Sequence, residues 1–293
     1  MPTREEFTVG SALDWSCDYL EKAGDENSRL SSEWLITYAT GLTRVQTYMN
    51  FDKPLTPAQF ELFHDAVERR GQGEPLQYVT GEMAFRHINV SCTPEVLIPR
   101  PETELLVEQA LSHIDSLDKD TVNVLEVGCG SGCISCSIAY ERPNTKVVAT
   151  DISPYAISLT NKNIDKLGLD GRVSVIECDL TSRLDESLKG SFDVLISNPP
   201  YIPSDVVPTL PREVEAYEPH LALDGGDDGL DIYRRLVVEA SKWLGCGGMF
   251  CVELFETTLD DAASILESDG NFKDVRVVQD LTRRDRMVVG IRK

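Results

Sequence analysis

From residue 121 onward the chain alternates short apolar runs with helix-like stretches, and this alternation narrows the possible folds more than any other feature. The runs are Val122–Val127, 146–150, Val173–Glu177, Phe192–Ser197 and 249–254. Helical patterns separate most of them, for example 153–167 and 229–244. Strands alternating with helices predict a mostly parallel sheet covered on both faces. The end of the chain breaks the pattern: 275–279 and 286–291 are strand-like with no helix between them, which predicts a closing antiparallel hairpin. The expected fold class is therefore α/β, a doubly wound sheet, mostly parallel, with a C-terminal antiparallel hairpin and a small N-terminal helical domain.

Residues 1–72 read as that helical domain. Thr56-Pro57-Ala58-Gln59 opens a helix, with Thr as N-cap, Pro at the first position and Gln closing a capping box. Phe60, Phe63 and Val67 follow at helical spacing, and Gly71 can end the helix. Thr43-Arg44-Val45-Gln46 is a second capping-box pattern. Trp34, Leu35 and Tyr38 form an apolar stripe on an earlier helix, read first as core packing and second as a partner-docking surface. Residues 73–100 are punctuated by Gly73, Pro75, Gly81, Pro94 and Pro99 and read as a linker carrying a β-hairpin, with 88–90 and 96–98 extended. A helix over 101–114 then opens the larger domain, 101–293.

Composition sets outer limits on function. With 293 residues the chain can build one sizeable core and a smaller second unit. No apolar run approaches the ~18 residues of a membrane span. Met1-Pro2-Thr3-Arg4-Glu5-Glu6 has no apolar signal region and is acidic, so the expected location is cytoplasmic. A net charge of −21 repels a phosphate backbone and argues against direct nucleic-acid binding. The same charge serves solubility or the attraction of a basic partner. The eight cysteines need no disulfide role in a chain this long, and most sit beside apolar residues.

The first chemical signal follows the first strand of the alternation. Gly128-Cys129-Gly130-Ser131-Gly132 joins that strand to a helix, at the strand end where α/β sheets bind ligands. Its spacing is G-x-G-x-G. The dinucleotide pattern needs Gly at 133, and that residue is Cys133, so the loop fits a methyltransferase better than a dehydrogenase. A plain strand-to-helix turn is the alternative. Asp151 ends the second strand, where a carboxylate can accept hydrogen bonds from both ribose hydroxyls of a nucleoside cofactor. It could instead cap the next helix, a task open to Ser153 as well. Asp179 follows the third strand and is placed near the adenine, with Leu180 beside the ring. The cofactor these residues suit is S-adenosylmethionine, and no metal is expected.

The second signal is Asn198-Pro199-Pro200-Tyr201 at the end of the fourth strand. Two prolines there remove donors and fix φ, which no sheet ladder needs. A rigid turn can present the Asn198 side-chain oxygen and the Pro199 carbonyl as two convergent acceptors. An –NH2 group has the two donors to fill them. Asn198 thus lies where target and cofactor meet, and Tyr201 is placed to stack on a planar target.

The chain resembles the HemK/PrmC family of release-factor glutamine methyltransferases. Besides the Asn-Pro-Pro-Tyr turn, the resemblance rests on Pro75-Leu76-Gln77-Tyr78-Val79-Thr80-Gly81, on Val96-Leu97-Ile98-Pro99-Arg100-Pro101-Glu102-Thr103-Glu104, and on Glu218-Pro219-His220-Leu221-Ala222-Leu223-Asp224-Gly225-Gly226 with Asp228-Gly229-Leu230-Asp231. It implies a helical N-terminal domain that helps dock a peptide chain release factor. It also implies methyl transfer to the glutamine of a Gly-Gly-Gln loop, giving N5-methylglutamine. The glycine loop and Asp151 go to S-adenosylmethionine on this resemblance, and Asn198 to Tyr201 to the glutamine. One segment departs: the family's Glu-x-Gly-x-x-Gln is here Glu253-Leu254-Phe255-Glu256-Thr257-Thr258.

Three rivals stand beside this reading. A nucleic-acid adenine methyltransferase uses the same turn on a planar amine, but the charge opposes it. Cys129, Cys133 and Cys136 have the spacing of a radical iron–sulfur motif, yet Cys129 lies inside the glycine loop and the other two fall on the next helix. A non-catalytic module that kept the fold is the third.

Overall fold

The computed structural model describes residues 7–293, so the targeting-signal reading of residues 1–6 lies outside it. The chain divides into two compact units. The first comprises residues 7–81 together with Arg212–Tyr217, and the second Glu82–Pro211 and Glu218–Lys293.

The first unit is helical: α1 (Val9–Lys22), α2 (Ser28–Thr40), α3 (Arg44–Met49), α4 (Pro57–Gly71) and α5 (Leu76–Thr80). Both expected capping boxes are formed. Thr56 accepts from Gln59 and Thr43 from Gln46, while each Gln side chain accepts from the N-cap backbone. Helix α4 buries Phe63 and Val67 against Leu13, Leu35 and Ile36. The apolar stripe of α2 is only partly core, which corrects the packing reading. Leu35 is buried, but Trp34 is 53% exposed and Tyr38 38%. Trp34 and Tyr38, four residues apart, share one side of the helix, and Trp34 is turned about 100° from its neighbour Leu35. Helix α5 also occupies the start of 73–100, the segment read as a linker carrying a β-hairpin.

The second unit opens with the hairpin β1 (Glu82–Phe85) and β2 (Ile88–Ser91). The expected strand over 96–98 is absent; Val96 and Ile98 are buried in irregular chain. Pro94, Pro99 and Pro101 deny that segment the donors a ladder needs. Then come α6 (Thr103–Ser116), β3 (Val122–Val127), α7 (Cys133–Glu141), β4 (Thr145–Asp151), α8 (Pro154–Leu167), β5 (Val173–Glu177) and β6 (Phe192–Ser197). A single turn, α9 (Arg212–Glu215), belongs to the first unit. The remainder is α10 (Asp231–Trp243), β7 (Leu244–Glu253), α11 (Leu259–Asp269), β8 (Phe272–Gln279) and β9 (Asp285–Arg292).

The seven strands run in the order β5-β4-β3-β6-β7-β9-β8. The first five are parallel, and β9 inserts antiparallel between β7 and β8. Alternate side chains serve opposite faces. Val122 and Val124 join the core under α6 and α7, whereas Leu125 and Val127 join the core under α10 and α11. The chain leaves β3 first toward β4 and later, by β6, toward the other side. That reversal opens a crevice at the carboxyl ends of these strands. Among the described residues no helix is long and apolar enough to cross a membrane.

Candidate active site

The crevice holds a cavity of about 370 Å3, within the ~300–1,000 Å3 of small-molecule sites. Its walls come from the ends of β3, β4, β5 and β6. Gly128, Gly130, Asp151, Asp179, Leu180, Asn198, Pro199 and Pro200 all line it.

The glycine loop is tied down from behind, which leaves its front to the cavity. Gly128 and Cys129 donate their N–H groups to the Thr150 carbonyl at 2.8 and 3.0 Å. From α8, Thr160 donates to the Gly130 carbonyl at 3.0 Å and Asn163 to the Ser131 carbonyl at 2.8 Å. The loop takes left-handed φ at Gly128, Gly130 and Gly132, so three glycines occupy these alternate positions for backbone reasons. Cys129, Ser131 and Gly132 were expected at the cofactor, but they are not part of the cavity wall. Cys129 is buried with its Sγ 3.4 Å from Thr160 Oγ1, and a Cβ at Gly132 would stand 2.7 Å from Thr160 Cγ2. These three face α8.

Asp151 joins loop to strand. Its Oδ2 accepts from Gly130 N and its Oδ1 from Ser153 N, both at 2.9 Å. Ser153 caps α8, accepting from Ala156 N, so the capping alternative for Asp151 falls away. Burial raises the Asp151 carboxyl above its ordinary value, against the pull of these backbone donors. Asp179 pairs with Arg235 of α10 at 2.7 Å, both about half exposed. Leu180 beside it holds a left-handed backbone, φ 51°, uncommon for a side chain of this size.

The turn after β6 is braced on both sides. Ser197 donates to the Val127 carbonyl at 2.6 Å, which ties the turn to the glycine loop. Beyond it, Ile202 N donates to Leu223 O and Gly225 N to Ile202 O, pairing the chain with 222–225. Asn198 faces the cavity and donates through Nδ2 to Thr103 Oγ1 at 3.0 Å. Tyr201, expected to stack on the target, is instead outside the cavity wall. Its ring packs on the core and its hydroxyl donates to Glu253 at 3.2 Å. Burial comes first among the causes that push that phenol upward, followed by the Glu253 charge.

Several contributors had no role assigned from the sequence. Thr160, Asn163 and Arg235 lie in ordinary helical patterns, and Thr103, Arg100 and Glu126 stand in or beside recognised motifs without a stated task. Glu126 is fully buried and braces α7, accepting from the backbone and hydroxyl of Ser135; burial pushes its carboxyl up to about 8. Arg100 donates to the buried Glu218 at 2.6 Å. The spaced cysteines do not gather. Cys133 and Cys136 lie on α7 in the core, and among the described residues no cluster of His, Cys, Asp or Glu is placed to hold a metal.

The residues present suit S-adenosylmethionine. A Cβ on Gly128 would meet nothing within 4 Å, so the loop leaves room for a ligand against its backbone. Asp151 offers an acceptor-only group for a diol, and Val96, Leu180 and Ala156 supply apolar wall for a ring. Sheet order, glycine turn and Asn-Pro-Pro-Tyr together define an S-adenosylmethionine-dependent methyltransferase. Comparison with known proteins agrees: a methyltransferase domain family matches residues 118–284, and the PrmC N-terminal domain family matches 11–81. The chain belongs to the release factor glutamine methyltransferase family. It is 41% identical to the release factor glutamine methyltransferase of Geobacter sulfurreducens, over 98% of this chain and 97% of that one. With the enzyme of that name from Moorella thermoacetica it shares 38%, over 98% and 99%. The fold also resembles the N-terminal domain of human METTL16, solved in complex with SAH, at TM-score 0.51 and 18% identity over 69% of this chain and 75% of that one.

Proposed function

We propose that this protein methylates the side-chain amide nitrogen, N5, of the glutamine in the Gly-Gly-Gln loop of a peptide chain release factor, in support of translation termination. The observation that carries this reading is near-full-length similarity to enzymes named for that reaction. Gly128, Gly130, Asp151, Asp179 and Leu180 hold the cofactor, and Asn198 with Pro199 holds the glutamine. The helical unit serves as the docking surface for the release factor, with the exposed Trp34 and Tyr38 available to it.

The chemistry demanded of the chain is positioning. An amide nitrogen is a weak nucleophile because its lone pair is shared with the carbonyl. Bound S-adenosylmethionine supplies an electrophilic methyl group. Asn198 Oδ1 and the Pro199 carbonyl accept the two N–H bonds of the glutamine –NH2, and so fix the direction of its lone pair. The same acceptors favour the positive charge that grows on nitrogen as the new bond forms. One N–H proton then leaves to solvent, so no general base is required. Tyr201 acts from behind, anchoring the turn through Glu253.

The test is transfer of labelled methyl from S-adenosylmethionine to a purified release factor, beside the same factor with the loop glutamine changed to alanine. Label on the first alone is the expected result. Equal labelling of both would refute the glutamine assignment.

A further inference from the structure

Behind the cavity wall, Asn198 begins a short line of hydrogen bonds. Asn198 Nδ2 donates to Thr103 Oγ1 at 3.0 Å, and Thr103 Oγ1 donates to Glu253 Oε2 at 2.8 Å. Tyr201 donates to the other carboxylate oxygen at 3.2 Å. Thr103 and Glu253 are both buried, so water does not compete for these contacts. Thr103 opens α6 and Glu253 ends β7, so two distant elements converge on the turn that follows β6.

Counting protons gives the line a direction. An ionised carboxylate only accepts. The Thr103 hydroxyl has a single proton and gives it to Glu253, so toward Asn198 it can only accept. Of the two ends of the Asn198 amide, only Nδ2 can donate. The amide is thereby held with Nδ2 on Thr103 and Oδ1 turned away from it. Were the Thr103 proton to point at Asn198, the amide would turn over and present donors where an incoming –NH2 needs acceptors.

We propose that Glu253 and Thr103 are positioning residues that set the orientation of the Asn198 amide and keep its oxygen available to the methyl acceptor. The proposal rests on the reading of Asn198 as that acceptor's partner. It gives a role to a glutamate that the sequence pattern left without one.

The surroundings of Glu253 make this orientation depend on pH. Burial pushes its carboxyl up to about 7, opposed by the donors Thr103 and Tyr201, reinforced by the charge of Glu102 and opposed by Arg286. Arg100 acts on Tyr201, and Cys251 shares the strand. Once protonated, Glu253 can donate to Thr103, and the line can reverse. Turnover is therefore expected to fall as the pH drops through about 7.

The experiment is methyl transfer to a purified release factor as a function of pH, with S-adenosylmethionine affinity measured on each variant to confirm folding. Thr103→Val should lose about tenfold in kcat at alkaline pH, the worth of one oriented hydrogen bond. It should also lose the acid limb while cofactor affinity stays unchanged. Thr103→Ser, which restores the hydroxyl, should keep both turnover and limb. Glu253→Gln, of equal size, should lose the limb. Wild-type turnover in Thr103→Val, an acid limb persisting in Thr103→Val or Glu253→Gln, or failure of Thr103→Ser alongside Thr103→Val would each overturn the proposal. Asn198→Ala run in parallel separates the two levels. Normal turnover there removes the acceptor reading and the relay with it. An inactive Asn198→Ala beside a fully active Thr103→Val removes the relay alone.

Discussion

A Cβ added to Gly229 would stand 2.4 Å from the Tyr201 carbonyl oxygen. Gly225 is nearly as close, with its Cβ position 2.7 Å from Tyr201 Cα. The glycine segment after the turn thus presses backbone on backbone against Asn-Pro-Pro-Tyr, and no side chain fits between. Gly229→Ala also forces a residue with a side chain into φ +75°. It should destabilise the protein by about 1–3 kcal/mol and reduce turnover, while cofactor affinity changes little. Thermal melting and kcat measure the two effects. Full activity at an unmoved melting temperature would contradict this packing role.

Asp151 couples the glycine loop to β4 and faces the cavity. Asp151→Ala should weaken S-adenosylmethionine binding by roughly 10- to 100-fold, since hydrogen bonds to charged groups are worth about 1.5–3 kcal/mol. Isothermal titration reads this directly. Unchanged affinity would take Asp151 out of the cofactor site.

The buried carboxyls of Glu126 and Glu253 should each make stability decline from mildly acidic to mildly alkaline pH, against the buried His113, whose lowered pKa acts in the opposite sense. Burial pushes the carboxyls of Glu126 and Glu253 up to about 8 and about 7, from an ordinary 4.5. A carboxyl that keeps its proton longer when folded gives the folded state more bound protons. Stability then falls as pH climbs from about 4.5 to about 8. Asp25 and Glu33 act in the opposite sense at lower pH. Burial opposes their charge but is outweighed, by Arg70 and Ser31 for Asp25 and by Tyr48 and Arg44 for Glu33. Their lowered pKa values contribute stability that is lost on acidification below the ordinary range. Glu126→Gln keeps an acceptor for Ser135 without the charge. Its melting temperature should match the wild type near pH 5 and exceed it near pH 8, two settings on either side of this fall. The same decline in wild type and variant would refute the assignment.

Arg86, at the tip of the β1–β2 hairpin, ties that hairpin to two helices. Its guanidinium reaches Glu141 of α7 at 2.6 Å, with Glu108 at 2.8 Å and the Glu104 carbonyl at 2.9 Å on α6. Arg86 is largely buried and Glu141 more so, so removing the cation strands a carboxylate. Arg86→Ala should cost about 3 kcal/mol in chemical denaturation and leave kcat near wild type where the protein is folded. A loss under 1 kcal/mol, the range of a surface pair, would show the contact to be incidental.

Much of this was legible in the chain. The period of the apolar runs gave away β3 to β6, and the hairpin β8–β9 followed from the missing helix between its strands. Local rules placed both capping boxes, because a cap involves residues three apart. The glycine loop and Asn-Pro-Pro-Tyr were legible because each gathers its working groups within four or five consecutive residues. What stayed hidden depends on distance in sequence. Thr103 lies 95 residues from Asn198 and 150 from Glu253, and no local pattern joins them. Tyr201 looked like a stacking face because an aromatic beside a binding turn reads so; only the position of Glu253 turns it inward. Trp34 and Leu35, adjacent in sequence, part company at the surface because a helix rotates neighbours apart.

The central claim is that Asn198 and Pro199 hold a glutamine amide for methylation. The most direct test is mass spectrometry of a purified release factor after incubation with S-adenosylmethionine and either the wild type or Asn198→Ala. A gain of one methyl on the glutamine of the Gly-Gly-Gln loop with the wild type, lost with Asn198→Ala although that variant still binds cofactor, is the predicted result. An equal gain with the variant, or no gain with a wild type shown to bind cofactor, would contradict it.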